Sequence, residues 1–182
     1  MKLMIAEDAD RMCAFAAHFV VRRIQANPAL VLGLATGRTM IPFYAHLVAR
    51  FRAGDCSFAG VTTFNLDEFV GIPTSHPGSY ANYMRRHLFD FVDIDRTRTH
   101  LPDGNAPDMV AGTEAYERLI REAGGIDLQM LGIGGNGHLA FNEPGSSLAS
   151  RTRVKRLEIE TIRANCEDFG GVDGVPRYVV TT

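Results

Sequence analysis

The chain alternates between short, continuous apolar runs and longer segments whose apolar residues recur every three or four positions. The apolar runs span residues 29–35, 61–66 and 126–133. The helically spaced segments span residues 8–26, 42–53, 80–91 and 108–122. Continuous apolar runs are typical of parallel strands buried on both faces, and the helices between them cover the sheet. The pattern therefore predicts an α/β fold with a three-layer, Rossmann-like, mainly parallel doubly wound sheet.

The two ends of the chain carry more specific expectations. Asp8 is a good N-cap for the first helix. The apolar residues expected on the buried face of that helix are Met12, Phe15, Ala16, Phe19, Val20 and Ile24. Residues 154–159 and 178–182 are further strand candidates. We expect a single domain over residues 1–182 that lacks its C-terminal elements, because an open α/β sheet seldom ends on a strand without a covering helix.

The overall charge balance is nearly neutral. The 182 residues are 46% hydrophobic and 22% charged, with a formal net charge of −2. This composition is ordinary for a globular domain and provides no electrostatic basis for binding nucleic acid or an anionic membrane. A small-molecule substrate is the expected partner. The sequence leaves open whether the protein forms a homo-oligomer.

The cysteine pattern bears on the compartment. Cys13, Cys56 and Cys166 are widely spaced, with no CxxC pair and no histidine at metal-ligand spacing. An odd, scattered set favours free thiols over a disulfide framework or a zinc site. Residues 1–6 lack the apolar region of a signal peptide. We therefore expect a cytoplasmic protein.

Three predicted strands end in polar or glycine-rich loops, and ligands of open α/β sheets bind at such carboxyl ends. The first loop is the turn formed by Thr36, Gly37, Arg38 and Thr39. A glycine turn before a helix N-terminus suits a phosphate, although a plain tight connection explains this segment equally well. The second loop begins at Asp67, a candidate general base whose alternative role is helix capping. We expect all three loops to meet at one site.

The third loop has the most distinctive sequence. It places four glycines at positions 132, 134, 135 and 137, followed at once by His138 and Glu143. Dense glycine costs backbone entropy and is tolerated where φ is positive or a ligand approaches closely. An imidazole with a carboxylate to orient it is typical of acid–base chemistry near neutral pH.

With these motifs together, the chain resembles the glucosamine-6-phosphate deaminase/isomerase family over essentially its whole length. The motifs that carry the resemblance are TFNLDEFVG (63–71), HPGSY (76–80), GNAPD (104–108) and GNGHLAFNEPGSSLASRTR (135–153). The resemblance implies deamination of glucosamine 6-phosphate to fructose 6-phosphate and ammonia, with no redox cofactor and no metal. It assigns Asp67 to proton transfer between C2 and C1, His138 with Glu143 to ring opening, and the turn 36–39 to the phosphate.

Several residues depart from the family pattern or extend it. Asn136 stands where many members have an aspartate that pairs with the histidine, and it can still hold the imidazole by a hydrogen bond. Arg38 replaces a glycine, and Glu167 replaces an arginine that binds phosphate. The residues that match an allosteric phosphosugar site of some members are Ser146, Arg153 and Lys155.

Two other functions stay open on the same fold. A 6-phosphogluconolactonase-like hydrolase shares a related glycine–histidine loop, but it lacks the FNEP continuation at 141–144. A non-catalytic phosphosugar-binding domain is the second alternative, although such a sensor has no need of Asp67, His138 and Glu143.

Overall fold

A computed structural model describes residues 3–182, so Met1 and Lys2, at the start of the segment tested for a signal peptide, lie outside the described residues. The helices are α1 Ala9–Ala26, α2 Met40–Arg52, α3 Tyr80–His87, α4 Met109–Glu122 and α5 Ile159–Ala164. The strands are β1 Val31–Leu34, β2 Thr62–Asn65, β3 Asp67–Phe69, β4 Thr99–His100, β5 Leu128–Gln129, β6 Arg153–Arg156 and β7 Tyr178–Thr181.

The central sheet has four parallel strands in the order β4-β2-β1-β5. Leu34 at the end of β1 lies opposite Asn65 at the end of β2, so the loops after both strands leave the same edge. The two faces of β1 enter different clusters: Leu32 and Leu34 pack with α1, α2 and α3, whereas Val31 packs with Tyr116 of α4. Helices on both faces of a parallel sheet confirm the predicted α/β class and its three layers.

A second sheet holds the later strands. It has three antiparallel strands in the order β3-β7-β6. The prediction of strands near 154–159 and 178–182 is therefore confirmed for β6 and β7, but they do not extend the parallel sheet. Only Leu66 separates β2 from β3, so the chain passes from one sheet into the other at this residue.

Two predicted elements are shorter than their apolar patterns indicated. The run 126–133 contributes only the two residues of β5, because β5 is an edge strand paired with β1 alone, and Ile133 is exposed. The segment predicted as a helix over 80–91 breaks at Leu88, whose φ of −139° is not helical, and continues as a short 3₁₀ turn at Phe89–Phe91.

Helix α1 has the predicted N-cap but a different buried face. The Asp8 side chain accepts a hydrogen bond from the Arg11 N–H at 2.7 Å, which confirms the cap. The buried residues are Cys13, Ala17, Val20, Val21 and Ile24. The expectation that Met12, Phe15 and Phe19 are buried is wrong; these side chains are exposed. Both sets have helical spacing, so the pattern alone could not tell which of the two adjacent stripes packs on the sheet.

Within residues 3–182, no helix is long and apolar enough to cross a membrane.

Candidate active site

The loops that follow β1, β2 and β5 line one cavity of about 190 Å³. Among the predicted site residues, those that line it are Thr36, Gly37, Thr39, Asp67 and His138. Three loops that are distant in sequence therefore meet at the carboxyl edge of the parallel sheet. Arg38, Asn136 and Glu143 are not among the lining residues. Tyr80 and Asn165, which the sequence analysis did not select, are.

Asp67 reaches the cavity because it is the first residue of β3, where the chain leaves the parallel sheet. Its side chain is 5% exposed. Burial, reinforced by the neighbouring Glu68 carboxylate, raises the pKa of Asp67 from 3.8 to about 8. A carboxyl group with a pKa close to neutral can both remove and return a proton under physiological conditions.

Glu68 points away from Asp67 and is held by the start of α3. Its carboxylate accepts hydrogen bonds from the Ser79 hydroxyl at 2.8 Å and from the N–H groups of Tyr80 at 3.0 Å and Ala81 at 2.9 Å. It also accepts one from the N–H of Phe69 at 2.8 Å. This anchorage fixes the first turn of α3, which carries Tyr80 into the cavity. The Ser-Tyr pair at the end of HPGSY, read as a helix N-cap and its first residue, is the sequence signal that could have identified Tyr80.

His138 is positioned by a tight glycine loop. The Gly134 N–H donates to the His138 carbonyl at 2.9 Å, and Gly137 has a φ of +86°. A Cβ atom at Gly134 would overlap the imidazole ring of His138. Glycine at 134 therefore leaves the space that the imidazole fills, and glycine at 137 permits the turn.

Glu143 lies behind His138 and is only 1% exposed. Its Oε2 is 3.7 Å from His138 Nδ1, which is an ion-pair distance but longer than a hydrogen bond. Burial opposes ionisation of Glu143. The Thr161 hydroxyl, the Glu158 N–H and the Asn136 side chain, together with the charge of His138, nevertheless give this carboxyl group a lowered pKa. Glu143 is therefore poised as a carboxylate that can orient the imidazole.

Asn136 holds this arrangement in a way that differs from the expectation. Its Nδ2 donates to Glu143 Oε2 at 3.1 Å, and its Oδ1 accepts from the His138 backbone N–H at 3.1 Å. Asn136 thus bridges the backbone of His138 to Glu143, whereas a hydrogen bond to the imidazole itself was expected. An amide serves both contacts because it is a donor and an acceptor at once.

The turn before α2 contributes Thr36, Gly37 and Thr39 to the cavity lining. Gly37 has a φ of +109°, and its carbonyl accepts a hydrogen bond from the Tyr83 hydroxyl at 2.7 Å. The N-cap residue Thr39 makes no side-chain capping bond. Arg38 lies outside the cavity lining, where its Nη1 donates to Glu167 Oε2 at 2.8 Å. Two of the three departures from the family pattern, Arg38 and Glu167, are therefore in contact with each other.

The residues matched to an allosteric site do not share one cavity. Ser146 lines a separate cavity of about 350 Å³, in which Arg153 and Lys155 are not lining residues. Arg153 and Lys155 lie two residues apart on the half-buried face of β6, and Arg153 donates to Asn142 Oδ1 at 2.8 Å.

The three thiols are free, and Cys13 is buried. In the part of the chain that the structure describes, no group of three or more His, Cys, Asp or Glu residues is arranged to hold a metal ion.

Comparison with known proteins places the chain among sugar-phosphate enzymes. Residues 6–158 match the family model described as glucosamine-6-phosphate isomerases/6-phosphogluconolactonase. Glucosamine-6-phosphate deaminase 2 of Bacillus subtilis (strain 168) is 48% identical over 182 residues, which cover 100% of this chain and 73% of that protein. A glucosamine-6-phosphate deaminase of Caenorhabditis elegans is 48% identical over 186 residues, covering 100% of this chain and 70% of its own length.

Solved structures agree at the level of the fold. A structure described as a monomeric glucosamine-6-phosphate deaminase superposes with a TM-score of 0.98 at 40% identity, covering 100% of this chain and 76% of that one. A 6-phosphogluconolactonase from Thermotoga maritima superposes with a TM-score of 0.73 at 21% identity, covering 99% of this chain and 75% of that one, and so shares the fold alone. The chain belongs to the family of glucosamine-6-phosphate isomerases and 6-phosphogluconolactonases.

Proposed function

We propose that this protein is a glucosamine-6-phosphate deaminase, which converts glucosamine 6-phosphate and water into fructose 6-phosphate and ammonia. The observation that carries the proposal is that Asp67 and His138, from different strand ends, line one cavity. The reaction needs two acid–base groups, one for ring opening and one for isomerisation. The relatives named as glucosamine-6-phosphate deaminases, at 48% identity over the whole chain, support the same function.

Ring opening is the step assigned to His138. The imidazole accepts the proton of the anomeric hydroxyl and returns a proton to the ring oxygen, which breaks the bond between C1 and that oxygen and leaves an aldehyde at C1. Glu143, 3.7 Å from Nδ1, stabilises the imidazolium that forms in between. Asn136 supports the step by holding Glu143 and the backbone of His138.

Isomerisation and deamination follow at Asp67. Its carboxylate removes the proton from C2 while the C2 ammonium group gives a proton to the C1 oxygen, which leaves an enolamine. The protonated carboxyl then delivers its proton to C1, so that C1 becomes a hydroxymethyl carbon and the amine-bearing C2 becomes an iminium carbon. Water adds to this carbon, ammonia leaves, and the ketose remains. A pKa of about 8 suits a group that must alternate between its two protonation states.

The backbone of the turn 36–39 is the proposed position of the substrate phosphate. This turn lies at the start of α2, and its residues Thr36, Gly37 and Thr39 line the same cavity as Asp67 and His138. Backbone N–H groups and the positive end of a helix dipole attract an anion there. Free thiols at positions 13, 56 and 166 fit a reducing compartment, and we propose that the enzyme acts in the cytoplasm.

The test is to incubate the purified protein with glucosamine 6-phosphate and to measure ammonia and fructose 6-phosphate together. Equal release of both products is expected. Asp67→Asn should lower kcat by about a hundredfold or more, whereas Asp55→Asn, at a surface carboxylate paired with Arg50, should not change it.

Other outcomes would point to the alternatives. Acid release from 6-phosphogluconolactone without ammonia from glucosamine 6-phosphate would indicate the lactonase. Calorimetric binding of glucosamine 6-phosphate without turnover would indicate a phosphosugar-binding domain. Unchanged turnover in Asp67→Asn would overturn the assignment of the base.

A further inference from the structure

Arg38 and Glu167 form an ion pair between two segments that border the cavity. Arg38 Nη1 donates to Glu167 Oε2 at 2.8 Å, and Nη2 donates to the Ala164 carbonyl at 3.3 Å, across 129 and 126 residues of sequence. Arg38 stands between Gly37 and Thr39, which line the cavity. The pair therefore ties the turn before α2 to the segment that follows α5.

Within residues 3–182, the residues that line the cavity include neither lysine nor arginine. Asn165, which follows Ala164, lines the wall to which Arg38 is tied. Arg38 places a guanidinium next to two lining residues in sequence, Gly37 and Thr39, and Glu167 neutralises its charge.

The pair can open at little cost. The side chains of Arg38 and Glu167 are 69% and 74% exposed, so water can replace either partner. A phosphate is the better partner for the guanidinium because it accepts the same two parallel hydrogen bonds as a carboxylate and carries more negative charge.

We propose that Glu167 sets how strongly this cavity selects a phosphate-bearing ligand, by competing with the phosphate for Arg38. The inference rests on the proposed function for the identity of the sugar. In the free protein Glu167 holds Arg38 at the cavity border. On binding, the phosphate displaces the carboxylate and Arg38 turns to the phosphate, so that Glu167 weakens the binding of every phosphate ligand at this site.

The experiment compares Glu167→Gln, Arg38→Gln and the double variant with the parent protein. The readouts are KM and kcat for glucosamine 6-phosphate, and the dissociation constant of inorganic phosphate by calorimetry. Glu167→Gln should lower KM and tighten phosphate binding about twofold to fivefold, with the effect on KM rather than kcat. Arg38→Gln should raise both constants about tenfold.

The double variant tests whether Glu167 acts through Arg38. The double variant should have the same KM and phosphate affinity as Arg38→Gln, because without Arg38 there is no guanidinium for which residue 167 and the phosphate compete. Asp55→Asn is the matched control: it removes the carboxylate of a surface pair whose Arg50–Asp55 distance is also 2.8 Å, and both constants should stay at the parent value. All three substituted positions are partly or well exposed, so the variants are expected to fold.

An unchanged or higher KM in Glu167→Gln would overturn the proposal. So would a double variant in which Glu167→Gln lowers KM and tightens phosphate binding as much as it does when Arg38 is present. The phosphate titration separates this proposal from the proposed function. If no variant releases ammonia but phosphate affinity follows the predicted order, the role of Glu167 stands and the assigned reaction fails. If turnover is normal and neither substitution changes the affinity for phosphate, the assigned reaction stands and the role of Glu167 fails.

Discussion

The carboxyl groups of Asp67 and Glu68 are adjacent in β3 and both buried, yet their surroundings are opposite. Asp67 lines the cavity, where burial raises its pKa to about 8. Glu68 accepts four hydrogen bonds, three of them from Ser79, Tyr80 and Ala81 at the start of α3. The second carboxylate is thus an anchor that also adds negative charge beside the first. This relationship leads to the first three predictions.

The activity should depend on the ionisation of Asp67. The carboxylate must be unprotonated to take the C2 proton, and its pKa is raised to about 8. We therefore expect kcat/KM to rise with pH and to level off above about pH 8. A pH–rate profile with glucosamine 6-phosphate measures this, and a profile that is flat from about pH 6 to about pH 9 would contradict the assigned base.

The ionisation of Asp67 should lower the folding stability as the pH rises, whereas it raises the activity. The pKa of Asp67 is higher in the folded state, about 8 against 3.8, so the folded protein binds the proton more tightly. Its contribution to the free energy of unfolding is fully present below pH 3.8 and is lost as the pH rises through about 8. Denaturant unfolding of the parent and of Asp67→Asn across this range should show a steeper decline in the parent. Parallel curves for the two proteins would refute the raised pKa.

Replacing Glu68 by glutamine should separate its two effects. Without the negative charge, the pKa of Asp67 falls and the rise of kcat/KM moves to lower pH. The glutamine amide nitrogen also cannot accept the α3 hydrogen bonds, so stability should fall by about 1–3 kcal/mol. Both the pH–rate profile and chemical denaturation are needed.

Ser79→Ala is the control for that variant. It removes the hydroxyl that donates to Glu68 and caps α3, but it leaves the carboxylate in place. Stability should drop by about 1 kcal/mol while the pH–rate profile keeps its position. If Glu68→Gln also leaves the profile in place, Glu68 is an anchor alone.

Gly134→Ala should displace the imidazole of His138. The added Cβ would overlap the ring, and the ring must turn out of its place beside Glu143. Ring opening should slow, with kcat lower by about tenfold or more and little change in stability, because the loop is at the surface. Gly135→Ala, with open space around the added methyl, is the matched control. Equal activity of the two variants would contradict the positioning role of Gly134.

Local sequence was sufficient for much of the fold. Asp8 caps its helix as predicted, because a cap depends on residues within one turn of it. The runs that form β1 and β2 were recognisable because both faces of a parallel strand are buried. The loops bearing Asp67 and His138 were placed at one edge, since parallel strands direct their carboxyl ends the same way.

The tertiary structure decided the rest, where the partner is distant in sequence. No local pattern specifies that Glu68 faces α3, that Asn136 holds Glu143, or that Arg38 meets Glu167 across 129 residues. The same holds for the face of α1 that is buried and for the antiparallel sheet that β6 and β7 form with β3. The residues of the site could be predicted from the sequence because the ends of strands and glycine-rich loops are local features of the chain. Their partners were not, because pairing depends on how separate elements pack and on which polar groups that packing takes out of water.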